Sequence, residues 1–388
     1  MQDKRIEVMK YSIEKVTTLI GARRYGNTEA QVSWLLTDSR SLCFPEETLF
    51  FALKTQRNDG HRYIQDLYNR GVRQFVVEQV PEHYDTLYPE ANFLRVPHTL
   101  AALQRLAERH RDEFDLPIVG ITGSNGKTMV KEWLYQLLLP SMRIVRSPRS
   151  YNSQIGVPLS VWLLNEQTQV GLFEAGISQP GEMMALRDII QPTIGVLTSL
   201  GAAHQENFRS MDEKCMEKLE LMHDTEAMVY CSDNDIVSRC IRRMNYKGEK
   251  ISWSTCDQQA AFYVKSVENS HITYIWKEEE NCFDIPFIDE ASIEDCITCA
   301  AGALRLGLTP ADLAERMPKL EPVAMRLEVK EGQRGCILIN DSYNSDINSL
   351  DIALDFMNRR NSQLSTVNSP LGKRTLILSD MFQSGLSP

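Results

Sequence analysis

Long hydrophobic runs are missing from this 388-residue chain. No stretch approaches the ~20 apolar residues a membrane-spanning helix needs. The charged opening M-Q-D-K-R-I-E-V lacks the apolar centre of a secretory signal. Cysteine is sparse: nine residues, scattered and odd in number, argue against a disulfide framework and suit a reducing compartment. The expectation is a cytoplasmic protein. An excess of basic charge is also lacking. The net charge of −10 excludes a general nucleic-acid or anionic-membrane surface, so any anionic nucleotide must be met by local basic groups. No internal repeat or low-complexity tract is visible. What remains, 43% hydrophobic and 24% charged residues, is a globular composition long enough for two or three domains.

The strongest local signal is I-V-G-I-T-G-S-N-G-K-T at Ile118–Thr128. Ile118, Val119 and Ile121 form a short apolar run, as in a strand buried on both faces. Gly123 and Gly126 permit a tight turn. Lys127 and Thr128 then open a helix whose Val130, Trp133, Leu134 and Leu137 recur at helical spacing. Strand, glycine turn and helix N-terminus together make a phosphate cradle. Backbone N–H groups and the helix dipole face the anion, Lys127 supplies a point charge, and the Thr128 hydroxyl can reach Mg²⁺. This is a shortened P-loop, because Ile121 stands where the longer motif has glycine. The plainer alternative is an ordinary glycine-rich turn between strand and helix.

Residues 1–115 read as a small α/β domain, with helices at Tyr11–Gly21 and Ile64–Asn69 and strands at Val32–Leu36, Thr48–Leu53 and Gln74–Val77. Thr37-Asp38-Ser39-Arg40 follows the first strand, and Asn58-Asp59-Gly60-His61 lies in a loop. A hydroxyl beside a guanidinium at a strand end can bind a diphosphate or a uracil edge; a turn with a surface arginine is the simpler account of Ser39 and Arg40 from these residues alone. The amphipathic helix Leu100–Phe114 ends before Pro117, a linker position.

Residues 116–320 alternate strand and helix, the pattern of a mostly parallel sheet. Strands are expected at Arg143–Val145, Val170–Glu174, Ile194–Ser199 and Ala227–Cys231. Ligands collect at the carboxyl ends of such strands. There lie Glu174, His204 in T-S-L-G-A-A-H, and Asn152 in Y-N-S-Q-I-G-V-P. A carboxylate, an imidazole and the Thr128 hydroxyl at one rim can serve a hard divalent ion beside ATP phosphates. Met211–Met222 reads as a helix with Cys215, Leu219 and Met222 inward. Its Lys214 and Lys218 read most plainly as a solvated face with Glu–Lys pairs. Ile251–Phe287 has the short alternation of an antiparallel insert, and Ser292–Leu306 returns to helix. Cys296 and Cys299 there read as buried small residues rather than a metal or redox pair.

Residues 321–388 begin a third unit: strands Cys336–Ile339 and Thr375–Leu378 and a helix Leu350–Met357. Two strands and one helix make a poor core, so the expectation is a domain that this chain carries only in part.

These motifs, in this order, resemble the Mur ligases over essentially the whole chain. T-G-S-N-G-K-T matches that family's ATP loop. D-S-Y-N at Asp341–Asn344 and Y-N-S-Q-I-G-V-P look like the branch that adds D-alanyl-D-alanine to UDP-N-acetylmuramoyl-tripeptide. In some bacteria that branch is fused to an alanine racemase, and a chain of this kind fits such a fusion. The resemblance implies a three-domain α/β architecture: a UDP-substrate domain (1–115), a central ATP-binding P-loop domain (116–320) and an incomplete C-terminal ligase domain (321–388). It implies roles as well. Gly123, Ser124, Asn125, Gly126 and Lys127 would hold the phosphates. Thr128 and Glu174 would hold one Mg²⁺, and His204 a second. Lys218 stands where the family places a lysine carbamylated by CO₂, which turns a cation into a metal ligand; Lys214 is the fallback. Asp295, Arg326, Asp341 and Asn344 would contact ATP, and Ser39, Arg40 and Asn152 the UDP-substrate. The chain also departs from the family. Y-N-S-D-I replaces Y-N-A-N-P, Asp295 stands where the family has Asn, and S-D-M-F-Q-S-G replaces G-D-M-x-E-L-G.

The implied chemistry is ATP-driven amide formation through an acyl phosphate, in cytoplasmic peptidoglycan precursor synthesis. The rivals are the third-residue-adding Mur ligase, folylpolyglutamate synthase, and a nucleotide-binding module without turnover. The Asp-Ser-Arg domain ahead of the P-loop argues against the synthase.

Overall fold

Apolar runs without polar alternation set the frame. Ile118–Thr122, Val170–Glu174 and Ile194–Leu197 are strands in which every residue is buried, as strands covered on both faces require. The computed structural model describes residues 9–55, 58–201, 207–324, 328–332, 336–342, 350, 353–354, 357 and 375–378. It divides into two compact units, one of residues 1–116, 145–173 and 188–191, the other of 117–144, 174–187 and 192–388.

The first unit carries a five-stranded sheet in the order Arg23–Tyr25, Asn92–Arg95, Gln74–Val77, Thr48–Phe51, Trp34–Leu36. The last four run parallel and Arg23–Tyr25 is an antiparallel edge. The expected strand Val32–Leu36 is split. Gln31–Val32 pairs with Tyr11–Ser12, while Ser33 turns its N–H to Glu47 O at 2.9 Å and its hydroxyl to Glu47 Oε2 at 2.7 Å. For the same reason the first helix is Ile13–Ile20 and not Tyr11–Gly21. Ser12 caps it by accepting from Lys15 N, and Gly21 ends it at φ 64°. The strand Asn92–Arg95 was not anticipated; its buried Asn92 is satisfied by Gln74 Oε1 at 2.7 Å and Thr28 O at 2.8 Å.

Helix Thr99–Arg111 packs Leu103 and Leu106 against Val16 and Ile20 in one core cluster. At its end the buried His110 donates from Nε2 to Leu164 O (3.1 Å), leaving Nδ1 to accept. The one hydroxyl proton of Tyr11 faces two acceptors, His110 Nδ1 and Glu113 Oε2, each at 2.8 Å. Burial drives the His110 pKa down to about 4. The unfolded chain, with an ordinary imidazole, therefore binds more protons between that value and the usual histidine range. Stability must fall as pH drops through this window, by up to about 3 kcal/mol. Urea unfolding of the protein and of His110→Gln should differ in pH slope by nearly one proton there; equal slopes would refute the assignment.

The second unit's sheet runs Glu279–Asp284, His271–Trp276, Phe262–Glu268, Glu249–Ser254, Ala227–Cys231, Ile194–Leu197, Ile118–Thr122. Ile118–Thr122 through Phe262–Glu268 pair parallel, and only the last two pairings are antiparallel. The expected antiparallel insert over 251–287 holds for Phe262–Glu268, His271–Trp276 and Glu279–Asp284, and is corrected at Glu249–Ser254, which continues the parallel sheet. Alternation with period two is common to both strand directions, so S-W-S could not reveal which applied. Helix Glu290–Arg305 packs on helix Lys127–Leu138. It starts at Asp289, whose carboxylate accepts from Ser292 N. Cys296 and Cys299 are free, buried thiols within it, as the plainer reading has it.

Toward the end of the chain, Glu328–Glu331 pairs antiparallel with Ile337–Asn340. The expected strand Thr375–Leu378 is not one. These residues have no strand partner among the described residues, and Ile377 is 90% exposed. Of the expected helix over 350–357, the described residues Leu350, Ala353, Leu354 and Met357 are helical.

Candidate active site

The turn after Ile118–Thr122 admits only glycine at two points. Gly126 sits at φ +81°, and a Cβ there would lie 2.2 Å from Asp295 Oδ1; at Gly123 it would lie 1.9 Å from Thr198 Oγ1. The turn is held from the side by the segment after Ile194–Leu197. Ser124 N donates to Ser199 O (2.7 Å), Asn125 N to Ser199 Oγ (3.1 Å), and Thr198 Oγ1 to Asn125 O (2.5 Å). Ser124 Oγ also accepts from Gly201 N at 2.9 Å. The amides of Ser124 and Asn125 thus brace the loop. The anion-facing end is the start of helix Lys127–Leu138, which follows Gly126 directly.

Three lysines converge on this turn. Lys127 Nζ donates to Gly123 O (2.8 Å) and Ser124 O (3.0 Å). Lys218 Nζ donates to the same Gly123 O at 2.9 Å, and Lys214 Nζ to Gly201 O at 2.5 Å. The solvated-face reading of helix Met211–Leu219 is therefore corrected: Lys214 and Lys218 are buried alongside Cys215 and Leu219. Its glutamates serve elsewhere. Glu213 accepts from Arg209 N (2.6 Å), and Glu217 Oε1 from Gly181 N (2.9 Å) and Met183 N (3.0 Å). Burial, and then the charges of Lys127 and Lys214, hold the Lys218 amine well below the usual lysine range.

Glu174 ends its strand beside the loop, where Ala175 N donates to Ile121 O (2.8 Å). Its fully buried carboxylate accepts from Thr128 Oγ1 at 3.2 Å through Oε2, and Oε1 lies 3.0 Å from Lys131 Nζ. Lys131, itself 0% exposed and 3.0 Å from Glu132 Oε1, was not anticipated. Its signal was its place one turn after Lys127 and Thr128, on the same helix face. With Lys131 on one oxygen, Glu174 keeps its other oxygen beside the Thr128 hydroxyl. A hydroxyl and a carboxylate suit Mg²⁺, which takes few protein oxygens when phosphates supply others.

Asp295 presses its carboxyl against Gly126. Burial first, then Glu294 and Asp289, raise its pKa well above the carboxylate range, with Lys127 acting the other way.

The structure thus brings together Gly123, Ser124, Asn125, Gly126, Lys127, Thr128, Glu174, Lys218 and Asp295. His204, Arg326 and Asn344 lie outside the described residues. Asp341 follows strand Ile337–Asn340 and is half-buried. Ser39, Arg40 and Asn152 belong to the first unit. There Asp38 accepts from Arg40 N (3.0 Å) and pairs with its exposed guanidinium at 2.6 Å, which holds the Asp38 carboxyl below the usual range. Asn152 is half-buried.

The Mur ligase middle domain description matches residues 121–302. The UDP-N-acetylmuramoyl-tripeptide–D-alanyl-D-alanine ligase of Bacillus subtilis (strain 168) is 29% identical over 359 residues, covering 90% of this chain and 73% of that one. A crystal structure of MurF from Acinetobacter baumannii aligns with a TM-score of 0.82 at 21% identity, over 91% of this chain and 78% of that one. MurF from Thermotoga maritima, solved in complex with ADP, aligns with a TM-score of 0.70 at 22% identity, over 84% and 74% respectively. No helix among the described residues is long and apolar enough to cross a membrane.

Proposed function

We propose that this chain, similar to the Mur ligases in its middle domain and over most of its length, is the ATP-dependent ligase that joins D-alanyl-D-alanine to UDP-N-acetylmuramoyl-tripeptide in peptidoglycan precursor synthesis. The observation that carries the reading is the convergence of Lys127 and Lys218 on Gly123 O, beside the Thr128–Glu174 pair.

A carboxylate is a poor acylating agent and must be activated. The tripeptide carboxylate attacks the γ-phosphorus of ATP, a C–O–P bond forms, and ADP leaves. Lys127 offsets the charge that gathers on the transferred group. The dipeptide amine then attacks the acyl carbon, phosphate departs with the C–O bond electrons, and the amine gives up a proton. Mg²⁺, when bound, supplies further charge neutralisation at the phosphates; Thr128 and Glu174 would hold one ion, and Lys218 as a carbamate, with His204, a second. Asp295, Arg326, Asp341 and Asn344 are assigned to ATP, and Ser39, Arg40 and Asn152 to the UDP-substrate. The functional division is 1–115, 116–320 and 321–388.

The test is ADP release by this chain with UDP-N-acetylmuramoyl-tripeptide, with and without D-alanyl-D-alanine. Dipeptide-dependent ADP formation is the expected result. ATP binding with no dipeptide-dependent release would replace the ligase reading by a nucleotide-binding module.

A further inference from the structure

Helix Glu290–Arg305 delivers one side chain to the phosphate turn. The Asp295 carboxyl lies so close to Gly126 that any Cβ there would strike both of its oxygens, at 2.2 and 2.8 Å. The residue is 9% exposed. No hydrogen bond to its side chain is present among the described residues, and Lys127, whose charge acts on it, donates to Gly123 O and Ser124 O. A carboxylate in this position would face the phosphates of a nucleotide as a like charge, and would draw Lys127 away from them. A carboxylic acid would do neither, since it offers one O–H donor and one carbonyl acceptor, much as an amide does.

We propose that Asp295 meets the bound nucleotide as a neutral carboxylic acid, its O–H donating a hydrogen bond to an acceptor atom of the nucleotide at the Gly126 turn. The inference rests on the nucleotide-binding reading above. Burial disfavours ionisation of Asp295 most, and Glu294 and Asp289, from its own helix and cap, add to it; Lys127 from the facing helix acts the other way and is outweighed. Nucleotide affinity must then fall at alkaline pH as the acid loses its proton, because the donor disappears and a negative charge replaces it.

The experiment measures Mg-ADP binding to the full chain between about pH 7 and about pH 10, for the protein and for Asp295→Asn, which keeps a donor and cannot ionise. The Kd of the unaltered protein should weaken toward the alkaline end by up to about tenfold per pH unit, while Asp295→Asn stays comparatively flat. Parallel profiles with binding intact would overturn the role of Asp295 alone. Failure of both proteins to bind ADP at any pH would bring down the nucleotide reading beneath it. Should Asp295→Asn misfold, calorimetry of ADP binding to the unaltered protein in two buffers of different ionisation enthalpy decides. Net proton uptake is expected at the pH where the Kd of the unaltered protein weakens, and no uptake there overturns the proposal.

Discussion

Lys127→Ala should lower ATP turnover by about a thousandfold or more. Removing one well-placed positive group from a transferring phosphoryl costs this order of magnitude in comparable sites. The side chain donates to two carbonyls of the turn, Gly123 O and Ser124 O, which holds its charge at the head of helix Lys127–Leu138. The measurement is steady-state ADP formation, with thermal unfolding as the control. Turnover near that of the unaltered protein would remove the phosphate role from Lys127.

The second large effect concerns Lys218. A carbamate forms when a neutral amine attacks the carbon of CO₂, making an N–C bond and releasing a proton. An ordinary lysine is almost wholly protonated near neutrality and reacts poorly. Lys218 is buried between Lys127 and Lys214, and both its desolvation and its neighbours favour the uncharged amine. Lys218→Ala should therefore lose activity by about a hundredfold. A short carboxylic acid such as acetate, standing in for the missing carbamate, should restore part of it. A structural role would show no such rescue. Full activity in unrescued Lys218→Ala would move the function to Lys214, or dismiss it.

The phosphate turn was legible because its determinants are local. Two glycines forced by contact at 2.2 and 1.9 Å, a buried apolar strand and an amphipathic helix all lie within one short segment. Glu174 was legible from the rule that ligands gather at strand ends. The environment of Lys214 and Lys218 was not. Glutamates and lysines alternate along Met211–Leu219 as they would on a wet surface. Only tertiary contacts, with Glu217 taken by Gly181 and Met183 and both ammonium groups taken by loop carbonyls, turn that face inward. Lys131 was hidden for a similar reason: a lysine within an apolar helix face becomes informative only once the buried Glu174 is seen opposite it. The direction of Glu249–Ser254 was beyond sequence reasoning, since pairing partners and not side-chain period decide it. The family itself was readable from motif order, and the comparisons agree with it.

Glu217 has a mechanical consequence. One of its oxygens takes the backbone amides of both Gly181 and Met183, so the helix bearing Lys218 is clamped to the stretch of chain that leaves Glu174. Any recoil of that helix pulls on the same stretch, so the spacing between Glu174 and Lys218 is kept by a tether that lies outside the Thr128–Glu174 pair.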